Sequence, residues 1–141
     1  MSATDTLAAV TELVRQARRI LFITGAGLSA DSGLPTYRGI GGLYDDKLTG
    51  HGIPIEKALS GQMMASRPEV SWTYLAQIEA NCRGAQPNAA HHAIARLMAE
   101  RPGSMVFTQN VDGFHRDVGT PSLVEIHGNL HQLQCTECGR G

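Results

Sequence analysis

The chain has 141 residues, of which 42% are hydrophobic and 18% charged, and its formal net charge is -1 at pH 7. This length suits one globular domain, and the small charge gives no electrostatic support for a nucleic-acid or anionic-membrane partner. No apolar run approaches the ~20 residues that span a bilayer, and the N-terminus lacks a secretory pattern. Three cysteines in such a chain indicate thiols or metal ligands, so we expect a cytoplasmic protein.

The first predicted element is a helix over residues 4–19, because apolar residues recur there at helical spacing. The apolar run ILFIT at 20–24 follows, and its continuity predicts a strand buried on both faces. After a long glycine-bearing passage the sequence predicts three helices: 54–61, 67–81 and 88–100. Asn88 is the expected N-cap of the last one.

The second half of the chain adds a strand at 104–108, a short helix within 111–119 closed by Gly119, and a strand at 123–128. Strands that alternate with helices predict an α/β fold with a parallel sheet, in which ligands bind at the carboxyl ends of the strands. All three predicted strands end in polar residues, so we expect a binding site at that edge.

A glycine-rich turn follows the first strand. Its sequence, Gly25-Ala26-Gly27-Leu28-Ser29-Ala30, fits the G-x-G-x-x-G/A pattern that lets backbone approach a pyrophosphate, although an ordinary turn carries the same residues. The next stretch is too rich in Gly and Pro to continue a long helix, unlike that of a dehydrogenase. Arg38 in this stretch suggests a loop that closes over an anion; a plain surface charge is the alternative.

Polar side chains also follow the second and third strands. Gln109, Asn110 and Asp112 can hydrogen-bond a ribose or a carboxamide, or Asn110 and Asp112 can simply cap the following helix. His127 can accept a proton near neutral pH, or it can be structural. The histidine pair at 91–92 lies on a predicted helix, where adjacent residues face different directions, and so does not form one metal site.

Cys135 and Cys138 have the spacing of a zinc knuckle, followed by glycine. Structural zinc takes four ligands and this pair supplies two, with His131 as a conceivable third. A redox dithiol, or a free pair without a role, are the alternatives. Cys82 lies apart from them in a predicted helix, where a small core residue is expected.

In this order, the stretches GAGLSADSGLPTYRG, TQNVDGFH, EIHGNL and CTEC resemble motifs of the sirtuins, the family of NAD-dependent protein lysine deacylases. The resemblance runs from about Arg19 to the last residue. It implies a Rossmann-like parallel sheet with helices on both faces and a helical insertion. Residues 1–134 would be a partial NAD-binding domain, with part of the acyl-lysine cleft at about 54–100, and 135–141 would begin a small zinc-binding module.

The resemblance also implies roles for single residues. The expected NAD-binding residues are Gly25, Ala26, Gly27, Ser29, Tyr37, Arg38, Gln109, Asn110 and Asp112. The first four would contact phosphates, residues 33–44 would form a mobile cofactor loop, and the last three would hold the nicotinamide ribose and carboxamide. His127 would be the general base, with Asn110 beside it at the catalytic centre. Cys135 and Cys138 would be half of a four-cysteine structural zinc site.

The implied reaction moves the acyl group of a protein or peptide acyl-lysine to ADP-ribose and releases nicotinamide. One departure concerns the acyl group. The branch that removes succinyl and malonyl groups carries Tyr-x-x-Arg, whereas this chain has Tyr74-x-x-Gln77, which favours acetyl or another uncharged acyl group. The segment PTYRGIGGLY is nevertheless similar to that branch.

A second departure is that the chain ends three residues after Cys138, without the family's second cysteine pair and later strands. We therefore expect a fragment or a truncated product, and no turnover by the 141-residue chain alone. The alternative from another class is a catalytically silent remnant that binds a nucleotide or a partner. A Rossmann-type dehydrogenase is a third interpretation.

Overall fold

The computed structural model describes residues 3–35 and 48–141. Tyr37, Arg38 and most of the predicted cofactor loop lie outside the described residues. In chain order the helices and strands are α1 (Ala3–Gln16), β1 (Leu21–Thr24), α2 (Ala26–Ser29), a 3-10 turn (Ala30–Ser32), α3 (Ile55–Ala58), α4 (Gly61–Ser66), α5 (Pro68–Cys82), α6 (Ala89–Ala99), β2 (Met105–Thr108), α7 (Phe114–Asp117) and β3 (Leu123–Glu125).

The three strands form one parallel sheet in the order β1-β2-β3, which confirms the predicted strands and their direction. Thr24 pairs with Thr108, and Thr108 pairs with Glu125, so the three strands end at the same level. The loops that carry the predicted site residues therefore leave the sheet from one edge.

Between residue 54 and β2 the described residues form four helices, α3 to α6, one more than the sequence predicts there. The additional helix, α4, has no clear apolar period. Its N-cap is Ser60, whose side chain accepts a hydrogen bond from the Met63 amide at 3.1 Å. Asn88 caps α6 as predicted, accepting from the Ala90 amide at 2.9 Å.

A small apolar core holds α3, α4 and α5 together. Its buried members are Ile55, Ala58, Val70 and Tyr74. Ser71 is fully buried among them, and its hydroxyl donates to the Ala58 carbonyl at 2.7 Å, so the core contains no unpaired serine oxygen. This helical unit forms one wall of the site described below.

The sheet does not have the two buried faces that its apolar runs predicted. Val106 is fully buried, whereas Leu21 and Ile23 are 59% and 68% exposed, and Phe107 on the same face is also exposed. The described helices thus leave one face of the sheet open. A continuous apolar run predicts that both faces can be covered, but it does not specify what covers them. None of the helices in the described residues has the length and hydropathy needed to cross a membrane.

Candidate functional site

The site begins at the turn that leaves β1. Gly25 has an extended backbone and serves as the N-cap of α2, and the Leu28 amide donates to its carbonyl at 2.9 Å. The helix lasts one turn, passes into the 3-10 turn, and ends at Gly33, whose φ of 82° is a left-handed conformation that favours glycine. The expectation that no long helix follows the glycine-rich turn is confirmed.

Three of the predicted site residues meet in a buried cluster. The Asn110 side-chain amide donates to the Gly25 carbonyl and to the Ser29 hydroxyl, both at 3.1 Å. Ser29 in turn donates to a carboxylate oxygen of Asp112 at 2.6 Å. All three side chains are at least nine-tenths buried, so this network fixes the turn after β1 against the loop after β2.

Asp112 serves two elements at once. Its second carboxylate oxygen accepts from the Phe114 amide at 3.0 Å, at the start of α7. The helix-capping role that sequence allowed for Asp112 is therefore present, and the carboxylate still faces Ser29. A cap and a site residue are compatible here because the two oxygens have different partners.

Asn88 also contributes to the site, which the sequence did not reveal beyond its capping role. Its side-chain amide donates to the Leu28 carbonyl at 2.7 Å and to the Ser32 hydroxyl at 3.1 Å. The N-terminus of α6 thereby holds the segment after Gly25 through contacts that Asn110 does not make. An Asn before an apolar helix is the only sequence signal for this contact.

A pocket opens between this cluster and α5. Its lining comprises Ala26, Ser29, Leu34, Pro35, Ile78, Asn81, Cys82, Asn110, Val111 and Asp112. A mostly apolar lining with a few fixed polar groups is typical of small-molecule sites. Cys82 is half-buried at this wall, and burial raises the pKa of its thiol.

The remaining residues of the glycine-rich and Gln-Asn motifs lie at the rim. The Gln109 amide donates to the Thr24 carbonyl at 3.0 Å, and its side chain is exposed. Ala26 is half-buried and Gly27 is exposed, with open space where a Cβ on Gly27 would stand. A ligand above the turn would reach the backbone at Gly27 without displacing any described side chain.

His127 lies in the turn that follows β3, and its side chain is exposed. The turn closes with the Gly128 amide donating to the Glu125 carbonyl at 3.1 Å. Because Glu125 pairs with Thr108, His127 and Asn110 are each two residues beyond a paired position on neighbouring strands. The sheet therefore brings both residues to the same edge, with Asn110 inside the cluster and His127 outside it.

The cysteine pair occupies an exposed turn near the C-terminal end. The Gly139 amide donates to the Cys135 carbonyl at 3.0 Å, and Gly139 has a φ of 70°. Hydrogen bonds from Arg140 and from Cys135 hold the pKa of the Cys138 thiol below its usual value, and a thiolate is the form that binds metal. Two thiols on one turn fit half of a zinc site. Residues 3–35 and 48–141 contain no group of three or more metal-ligand side chains, so His131 does not join the pair.

Comparison with known proteins agrees with this geometry. The Sir2 family model matches residues 25–141. NAD-dependent protein deacylase 2 of Pseudomonas aeruginosa is 53% identical over 141 residues, which cover 99% of this chain and 55% of that protein. A solved Sir2 complex with a deacetylated p53 peptide and 3'-O-acetyl ADP ribose is 28% identical with a TM-score of 0.78, over 99% of this chain and 52% of that one. A complex of Sir2 with a p53 peptide and NAD+ is 27% identical with a TM-score of 0.73, over 99% and 51%.

The chain thus spans about half the length of the relatives it matches. The family model covers most of the chain and includes the glycine-rich turn, the Asn110 cluster and the cysteine pair. With the Rossmann-like parallel sheet and the TM-scores above, these matches lead to one conclusion: the chain belongs to the Sir2 family.

Proposed function

We propose that this chain provides the NAD-binding N-terminal portion of an NAD-dependent protein lysine deacylase. The observation that carries the proposal is the buried Asn110–Ser29–Asp112 cluster, which lies beside the Gly25 turn at the carboxyl ends of β1 and β2. Ligands of open α/β sheets bind at that edge. Relatives named as NAD-dependent deacylases support the choice of NAD and of the reaction.

The part of NAD that each residue is proposed to contact follows from how exposed that residue is. The exposed backbone at Gly27 and the turn from Gly25 to Ser29 would contact the phosphates of NAD. Gln109 at the rim and Asn110 with Asp112 at the pocket wall would orient the nicotinamide ribose and carboxamide. Tyr37 and Arg38 are proposed as further cofactor-binding residues on sequence grounds, since they lie outside the described residues.

His127 is proposed as the general base. Bound NAD supplies the ADP-ribose that accepts the acyl group and the nicotinamide that leaves. His127 would take the proton of a ribose hydroxyl, so that this oxygen can attack the acyl carbon. An exposed imidazole beside the strand ends can reach a ligand at the rim, and imidazole is the side chain best suited to proton transfer near neutral pH. Asn110 would hold the sugar in place for that step.

Two further assignments complete the proposal. Residues 1–134 would form the partial NAD-binding domain, with part of the substrate cleft at about 54–100. Residues 135–141 would begin a zinc-binding module, in which Cys135 and Cys138 are two of four thiolate ligands. Their shared turn and the lowered pKa of the Cys138 thiol support this role. Structural zinc would then stabilise the fold and take no part in the chemistry.

The proposed substrate is an acetyl-lysine, or another uncharged acyl-lysine, in a protein or peptide. Tyr74 is buried in the core of the helical unit, and its hydroxyl lies 2.6 Å from the His51 ring nitrogen Nδ1. Tyr74 is therefore occupied with packing, and Gln77 one turn later carries no positive charge for an acyl carboxylate. The p53 peptides in solved Sir2 complexes support a peptide substrate.

A hybrid protein tests the proposal without assuming that the chain works alone. This chain would replace the 141 aligned residues of the Pseudomonas aeruginosa relative, which supplies the rest of its own sequence. With NAD and an acetyl-lysine peptide, we expect the hybrid to release nicotinamide and the 141-residue chain to release none. A folded hybrid with no release would overturn the proposal. Binding of NAD by the chain without turnover in the hybrid would favour the catalytically silent remnant instead.

A further inference from the structure

Two buried histidines lie beneath the proposed NAD site, and the proposed reaction uses neither. His91 on α6 is 0% exposed and His115 on α7 is 2% exposed. Their ring centroids are 5.1 Å apart. In the described residues, His91 Nε2 and His115 Nδ1 are buried without a hydrogen-bond partner, together with the Thr120 hydroxyl. Buried polar atoms without partners are uncommon, so these two nitrogens require an explanation.

The proton positions on His91 follow from its other nitrogen. His91 Nδ1 lies 3.2 Å from the Asn88 backbone amide, which completes the capping box of α6. A backbone N–H can only donate, so Nδ1 must be an acceptor and carry no proton. In the neutral ring the proton is then on Nε2. The unpartnered nitrogen of His91 is therefore a donor.

The other end of the pair reaches the strand ends. His115 Nε2 lies 3.1 Å from the Thr24 hydroxyl oxygen, which is 2.8 Å from the Thr108 hydroxyl oxygen. Thr108 also accepts the Asn110 backbone amide at 3.1 Å. If His115 Nε2 carries the proton and donates to Thr24, then Thr24 can donate to Thr108, and His115 Nδ1 is left as an acceptor.

The two unpartnered nitrogens are then complementary, a donor on His91 and an acceptor on His115. The opposite tautomer of His115 would set two donors against each other and leave both unsatisfied in the core, which is unfavourable. With ring centroids 5.1 Å apart, direct contact after ring rotation, or one bridging water, would satisfy both atoms. The Asn88 contact on His91 and the Thr24–Thr108 contact on His115 therefore both favour a proton on Nε2 of each ring.

We propose that His91 and His115 are positioning residues of the nucleotide site: two neutral, Nε2-protonated rings that complete a one-directional hydrogen-bond chain from the Asn88 amide to the Thr108 hydroxyl. One end of the chain holds α6, whose Asn88 side chain fixes Leu28 and Ser32. The other end holds the backbone of Asn110. The pair thus links Asn88 to Asn110, the two residues whose side chains hold the turn after β1. The proposal for the two histidines rests on the proposed function in one respect only, namely that the site binds a nucleotide.

This hydrogen-bond chain cannot accept an additional proton on either ring without setting two donors against each other. Protonated His91 would point Nδ1–H at the Asn88 amide, and protonated His115 would point Nδ1–H at the His91 donor. Burial, the largest influence, lowers the pKa of both rings, and His91 itself also lowers that of His115. The charges that act on the pair from its surroundings are Asp112 and Glu125, which raise the pKa values, and His92, which lowers that of His91.

Tautomer measurement on the 141-residue chain tests the arrangement directly. Two-bond ¹H–¹⁵N correlations of the histidine rings at pH 7.5 should show both His91 and His115 with the proton on Nε2. A proton on Nδ1 of either ring would overturn the proposal, since it reverses one link of the chain. Thr120→Val should leave both spectra unchanged. A changed His115 tautomer in that variant would identify Thr120 as the partner and would also overturn it.

Substitutions test whether the pair positions Asn110. His115→Phe keeps a ring but removes the donor to Thr24, whereas His115→Gln restores a donor. We expect exchange of the Asn110 backbone amide with solvent to accelerate about tenfold in His115→Phe, the cost of one hydrogen bond, and to return toward the original rate in His115→Gln. Equal exchange in all three proteins would contradict a positioning role.

A matched pair on α6 completes the test. His91→Phe should loosen the Leu28–Asn88 contact and accelerate the same exchange, whereas His92→Phe, at the exposed neighbouring position, should not. These readouts need neither NAD nor turnover. If the tautomers are as expected and the hybrid is inactive, only the proposed function is contradicted. If the tautomers differ and the hybrid is active, only the positioning role of the two histidines is contradicted.

Discussion

The two ends of the candidate site differ in how they are held. At the ends of β1 and β2, Ser29, Asn110 and Asp112 are buried and joined to one another by hydrogen bonds. Beyond β3, His127 and the cysteine pair lie in exposed turns. The first region is shaped by its own packing and should respond to substitution through stability. In the second region, substitution of His127 should affect chemistry with little effect on the fold, and substitution of the cysteines should affect metal binding and the stability that depends on it.

The largest effect should come from the exposed region. His127→Ala in the hybrid protein should lower the rate of nicotinamide-coupled deacylation by roughly 10²–10⁴-fold, the usual contribution of a general base. Because the side chain is exposed, the denaturation midpoint should stay unchanged. Parallel rate and urea-unfolding measurements check both statements. Near-normal turnover would remove His127 from the mechanism, and a large loss of stability would contradict the comparison.

In the buried region, substitution should mainly lower the stability of the fold. Asp112→Ala leaves the Ser29 hydroxyl and the Phe114 amide without their acceptor, so it should destabilise the chain by about 1–3 kcal/mol. Urea unfolding followed by circular dichroism measures this. Asp117→Ala, on the exposed side of α7, is the control and should change stability by less than about 0.5 kcal/mol. Equal effects of the two substitutions would show that the cluster is not specially stabilised.

A smaller effect on NAD binding should distinguish Ser60, which only caps a helix, from Asn88, which also contacts the site. Asn88→Ala and Ser60→Ala each remove a helix N-cap and should each cost about 0.5–2 kcal/mol. Only Asn88 also fixes Leu28 and Ser32 near the Gly25 turn. We therefore expect weaker NAD binding for Asn88→Ala alone, measured by calorimetry on the hybrid. The same Kd for both variants would mean that the Asn88 cross-link does not support the site.

Mild acid should weaken the buried region through its two histidines. Burial lowers the pKa of His91 and His115 below the ordinary value of 6.5, so the unfolded chain takes up more protons than the folded chain. The stability is then complete above about pH 6.5 and falls as the pH drops below it. Urea midpoints between pH 8 and pH 5.5 should follow this curve. A flat curve would contradict neutral buried rings.

The sequence predicted the features that depend on local pattern. The strand positions, the Asn88 cap and the divergence of His91 from His92 are all confirmed, since one histidine is buried and the other exposed. The polar residues that follow β1 and β2 are joined by hydrogen bonds. Each of these follows from helix or strand periodicity and from turn chemistry, which a single sequence carries.

The remaining features depend on tertiary contacts and were missed. Helix α4 lacks an apolar period, and its packing against α5 decides its existence. His115 was part of a recognised motif, yet nothing local indicates that it meets His91 from another helix. The prediction of two buried sheet faces was wrong for the same reason, because burial of Leu21 and Ile23 depends on what packs over them.

The open face of the sheet has a practical consequence at the bench. Leu21, Ile23 and Phe107 lie together there, as their register requires. Fluorescent dyes that report denaturation by binding apolar surface would bind this face in the native state and start from a bright baseline. Their thermal curves would flatten and mimic a poorly folded sample, so circular dichroism is the safer readout for every variant of this chain.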